Sequence, residues 1–155
     1  MLRLIALLSI IVSGPAHALS CIPATPSEAF GIIEAAPERY WVVVGEIIGK
    51  TPPPLRGSNS GVDKKRTYEA AFTGHNVNRH GLANPTTMSI TVTQRCIGPW
   101  CPSIAHDQKV LTFLRLDPSG TPALELDACT WNVFYNPTAQ DMNEIKSCFV
   151  NGCIQ

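Results

Sequence analysis

The sequence is short of charge. Only 15% of its 155 residues are Asp, Glu, Lys or Arg, and the formal net charge is zero. A general nucleic-acid or membrane-surface binder needs an excess of positive residues, so neither class fits. Low charge together with 45% hydrophobic residues argues for a packed globule and against a disordered chain. Apolar runs are short as well. Leu4–Val12 spans nine residues, about half of the roughly 20 that a bilayer span requires, so no transmembrane segment is expected. Acceptors for N-glycosylation are missing, because Asn84-Pro85-Thr86 and Asn136-Pro137-Thr138 both carry the forbidden proline. That leans toward a bacterial exported protein. No Ser, His and acid set can be assembled from the pattern. His75 and His80 stand five apart with no acid between them, the wrong interval for one helical face, and read as solvated loop residues. No metal site and no cofactor are expected.

What is present begins with an export signal. Arg3 supplies a positive start, Leu4–Val12 an apolar stretch, Ser13-Gly14-Pro15 a break, and Ala16-His17-Ala18 a small-x-small cleavage site. Residues 1–18 are therefore expected to be a signal peptide, with cleavage after Ala18 or Ser20. Residues 19–155 then form one domain, periplasmic or secreted, with a net charge of about −1 once Arg3 is gone.

All six cysteines, Cys21, Cys96, Cys101, Cys129, Cys148 and Cys153, follow that cleavage site. An even count in an oxidising compartment implies three bridges, with fifteen possible connectivities. Cys96–Cys101 and Cys148–Cys153 each enclose a turn dipeptide, Gly98-Pro99 or Asn151-Gly152, that can bring the two ends together. Taking those two as local bridges leaves Cys21 to join Cys129. A redox role for the Gly-Pro loop is disfavoured, since redox pairs use two intervening residues at a helix start.

Thr25-Pro26-Ser27-Glu28 is a capping box that opens a short helix to about Ala35, closed by Pro37. Tyr40–Ile48 reads as a strand buried on both faces. Lys50 to Arg66 reads as a loop, with three prolines at 52–54, and Arg66–Thr73 as a strand stopping at Gly74. A polar segment, His75 to Pro85, leads to the half-buried strand Thr86–Thr93. Lys109–Leu116 is a further strand, and Ala123–Leu126 with Cys129–Tyr135 supplies the last strand or pair. A capped helix from Thr138 to about Cys148 follows.

The order of signal, Ser20-Cys21-Ile22-Pro23, capped helix with Ala29-Phe30, strand Trp41–Ile48, Ser89–Cys96 and Val110–Cys129 resembles the netrin-like domain family, which includes the tissue inhibitors of metalloproteinases. Phe72-Thr73-Gly74, Cys96–Cys101 and Cys148–Cys153 look more like an exported bacterial branch. The resemblance implies a mainly β fold, a five-stranded Greek-key barrel of the OB type with a short N-terminal and a C-terminal helix. It departs from the inhibitors at Cys21-Ile22-Pro23, where they have Cys-x-Cys.

The inhibitors chelate a partner's zinc through the amine and carbonyl of an N-terminal cysteine. Here that requires cleavage after Ser20, so that Cys21 is the first residue. The plainer reading is that Cys21 ties the N-terminus to the barrel. Lipid attachment at Cys21 is a third and poorer one, because Ala18 stands where the lipobox has Leu. The one stretch with binding character is the basic loop, with Lys50, Arg56, Lys64, Lys65 and Arg66 against Asp63, suited to an acidic protein or polysaccharide; a solvated loop tip is the bland alternative. The expectation is a monomeric interaction or inhibitor-type module without catalysis, its protein partner unknown. The alternatives are an exported hydrolase with an unrecognised site and an envelope accessory protein.

Overall fold

A computed structural model of the protein describes residues 21–57 and 64–153. The expected signal peptide with its cleavage site, and the middle of the basic loop, lie outside the described residues. The elements are α1 (Pro26–Ala35), β1 (Tyr40–Ile48), β2 (Lys65–Asn78), β3 (Gly81–Arg95), β4 (Lys109–Leu116), β5 (Pro122–Leu126), β6 (Val133–Tyr135) and α2 (Ala139–Asn151). The fold is mainly β, with a helix near each end.

Both helices start on reciprocal caps. Thr25 Oγ1 accepts from the Glu28 amide, and the Glu28 carboxylate accepts from the Thr25 amide at 2.7 Å. Thr138 and Asp141 repeat the arrangement at α2. Each cap satisfies amides that the first helical turn leaves without partners.

The strands form one mixed sheet of six, where the family resemblance implied five and the residue pattern left the last strand or pair open. β1 pairs antiparallel with both β2 and β4, β2 with β3, and β5 with β4, while β3 and β5 run parallel. Those pairings close a ring, β1-β2-β3-β5-β4 and back to β1. The extra strand, β6, is only three residues long and lies against β4 outside the ring.

The β2–β3 hairpin is longer than the sequence implied. β2 does not stop at Gly74 but runs to Asn78, and β3 starts at Gly81 instead of Thr86. Gly74 is there because Gly45 of β1 lies directly opposite, and a Cβ on either would come within 2.6 Å of the other's Cα. It marks close backbone approach and not a strand end. Pro85 is tolerated where β3 has a neighbour on one side only, since β5 joins it no earlier than Thr91. His75 is accordingly a strand residue and not a loop residue; its Nδ1–H donates to the Ala83 carbonyl at 2.8 Å.

The core has two compartments, separated by the sheet itself. Val43, Ile47, Phe72, Ile90, Val110, Leu114 and Leu124 fill one. On the opposite face Val42, Val44, Leu111 and Phe113 pack with Ala29 and Phe30 of α1 and Ile145 of α2. This is why Val42-Val43-Val44 is apolar without alternation: successive side chains enter different compartments, and both are dry. Truncating a fully buried residue such as Phe113 is expected to cost about 3 to 5 kcal/mol.

Candidate functional site

Three disulfides join Cys21 to Cys129, Cys96 to Cys101 and Cys148 to Cys153. These are the pairs that spacing and elimination suggested. The third bridge belongs to the helical layer. There Phe149 meets Phe30 edge-on at 4.8 Å, and the Cys153 amide donates to the Glu34 carboxylate.

The other two bridges lie together at one end of the sheet, where a groove is lined by Cys21, Ile22, Pro23, Cys101, Pro102 and Cys129. Between Cys96 and Cys101 the chain makes a tight reversal, with Ile97 and Trp100 exchanging backbone hydrogen bonds around Gly98-Pro99. No helix forms there, so the thiol activation of a redox pair has no structural basis. The bridges hold apolar side chains in water: Ile22 is 90% exposed, Trp100 43% and Ile97 39%. The sulfur of Cys21 is already bonded to Cys129, so the same atom cannot also carry a lipid thioether. Its backbone is not constrained in that way.

The basic residues do not form one patch. Lys50 and Arg56 are exposed in the β1–β2 connection, and Lys64 is exposed just before β2. Lys65 and Arg66 are not loop residues at all but the first two of β2, so they point to opposite faces. Arg66 is consumed internally. Its Nη1 donates to the Pro53 carbonyl at 2.6 Å, its Nε donates to Gln94 Oε1 at 3.1 Å, and its guanidinium lies 5.8 Å from the Tyr68 ring centre. The loop is thereby pinned to the sheet. Lys65 turns the other way, toward Arg95 on β3.

His106, which by default reads as a solvated loop residue, is instead buried and structural. Its Nδ1–H donates to the Gly49 carbonyl at 3.1 Å, and in the neutral ring Nε2 accepts from the Tyr68 hydroxyl at 3.3 Å. Burial holds the Tyr68 phenol above its ordinary value, Arg66 opposing and Tyr135 adding to the rise. His80 sits at the β2–β3 turn beside Arg79. Among the described residues no group of three His, Cys, Asp or Glu is placed to hold a metal ion, and no helix is long and apolar enough to cross a membrane.

Ile22 and Trp100 were not singled out from sequence. The signal was present, since each is next to a cysteine, but only the bridge pattern places them at a common end. No protein-family model matches the chain, and neither a curated protein nor a solved structure is similar enough to match it.

Proposed function

We propose that this chain is an exported, monomeric interaction or inhibitor-type module of the netrin-like kind, without catalysis of its own, and that its strand ring is an OB-type Greek-key barrel. A self-closing ring of five strands agrees with that barrel. Three disulfides in a domain of this size suit a periplasmic or secreted protein, since the cytosol keeps thiols reduced.

The observation that carries the reading is the bridged end. Two disulfides fix Ile22 and Trp100 in exposed positions on short, cross-linked segments. Water-facing apolar side chains gain from burial against a partner, and a rigid backbone lowers the ordering cost of binding. The partner is a protein with an apolar cleft. In the inhibitor form of this reading the Cys21 amine and carbonyl, beside Ile22, approach a metal in the partner. That form requires Cys21 to be the first residue of the mature chain.

The test is capture of partners from an envelope fraction by the non-reduced protein. Ile22→Asp with Trp100→Ala is expected to abolish capture, whereas Lys50→Gln, Arg56→Gln and Lys64→Gln together should leave it intact. Undiminished capture by the first variant overturns the reading. Intact mass of the exported protein decides the inhibitor form: a chain starting at Leu19 rules it out.

A further inference from the structure

The outer face of β3, β5 and β4 carries a half-open cavity of about 250 Å³. It shares no lining residue with the groove under Cys21–Pro23. Its walls hold three features that the fold does not explain.

The first is a pair of like charges. Lys65 and Arg95 are exposed, directly opposite each other across β2 and β3, and among the described residues neither side chain has an ion-pair or hydrogen-bond partner. Like charges in register destabilise an antiparallel pair. The second is Asn132, only 4% exposed. Its Nδ2 donates to the Glu125 carbonyl at 3.0 Å, while its Oδ1 has no partner among the described residues. A buried acceptor left unmatched costs about 1 to 3 kcal/mol, and Oδ1 can be satisfied only by a donor. The third is Trp131, half-buried and stacked at 6.5 Å on Phe113, which gives the cavity one flat apolar wall.

The nearby carboxylates offset the cations only in part. Glu125 is bonded to Arg115, whose guanidinium that bond holds above its ordinary value, and Asp127, which accepts from the Cys129 amide at 2.8 Å, balances one of the remaining two cations. Across the lining, Lys65, Arg95 and Arg115 outnumber Glu125 and Asp127.

We infer that this cavity binds a small hydroxy-carboxylate the size of a single sugar acid. Its carboxylate lies between Lys65 and Arg95, and its carbon face rests along Trp131 with Asn132 beside it. The volume is below the roughly 300 to 1,000 Å³ of drug-sized pockets, so one ring is the natural occupant. A positive balance favours an anion with neutral donors over a zwitterion, whose ammonium group the cations would repel. A free sugar acid and the terminal residue of an acidic polysaccharide present the same chemistry.

The test is titration of the ¹⁵N-labelled protein with galacturonate, with galactose and alanine as the neutral and zwitterionic comparisons and an oligogalacturonide as the polymer arm. Saturable shifts of the Asn132 side-chain amide and the Trp131 indole N–H are expected with galacturonate. Lys65→Gln with Arg95→Gln, both exposed, should weaken binding about tenfold while leaving the remaining spectrum in place. Ile22→Asp should not change it, which separates this site from the bridged end. A galacturonate response that does not saturate, equal binding of galactose, or tighter binding of alanine overturns the inference. Tighter binding of the oligomer identifies the polysaccharide as the source, and equal binding the free acid.

Discussion

Gly45 of β1 and Gly74 of β2 face each other without side chains, and the Phe72 ring occupies the space beside them. A Cβ on Gly45 would lie 2.6 Å from the Gly74 Cα and 2.8 Å from the Phe72 ring, and backbone on both sides prevents relief. Gly45→Ala is therefore expected to destabilise by about 1 to 3 kcal/mol, as overpacking does, and Gly74→Ala by a similar amount. Urea unfolding checks this. By contrast, Gly120, with a φ of 85° and no atom near a built Cβ, would suffer from backbone strain alone.

The three bridges differ in the loops they close. Cys21–Cys129 spans 108 residues and Cys96–Cys101 only five. Loop-closure entropy makes the first worth about 4 to 5 kcal/mol and the second about 2. The pair Cys21→Ser, Cys129→Ser should lower the unfolding midpoint more than Cys96→Ser with Cys101→Ser. Equal losses in matched denaturation curves would show that native packing around the bridges, not chain entropy, sets their value.

Arg66 is expected to hold the 49–57 segment to the sheet through its bond to the Pro53 carbonyl. Arg66→Lys keeps the charge but loses the planar fork that reaches Pro53 and Gln94 together. Faster amide exchange confined to this segment should follow, with little change in global stability. Unaltered exchange would mean that Gly57, packed against Gly98 and Pro99, anchors the loop on its own.

Two carboxylates shape the acid limb of stability. The Ser119 hydroxyl first, then the Thr121 amide, holds Asp117 below its ordinary value; the Thr25 amide and hydroxyl do the same for Glu28. A depressed folded value means that the stabilisation is present above the unfolded value and is lost as pH falls through the folded one. Asp117→Asn should thus be less stable than the parent at pH 6, with the difference closing below about pH 4. A difference that stays constant from pH 6 to pH 2 in thermal melts would contradict this origin.

The local signals in this chain are legible because their physics is local. The Thr25 and Thr138 caps, the helix limit near Pro37, the strand at Tyr40–Ile48 and the two short-range bridges each depend on residues within a few positions. Where reading failed, a distant partner was responsible. In sequence Gly74 has the form of a strand end; the fold sets Gly45 opposite it, and the β2–β3 hairpin continues past it to Asn78 and Gly81.

The basic run shows the same division. Composition alone marks Lys50 to Arg66 as positive, but strand alternation sends Lys65 and Arg66 to opposite faces, one beside Arg95 and the other onto Gln94 and Pro53. Caps, turns and cysteine spacing could be written into neighbouring residues, because each is an exchange between groups a few bonds apart. The cavity that gathers Lys65, Arg95, Arg115, Trp131 and Asn132 could not be, because its walls come from strands that meet only when the ring closes.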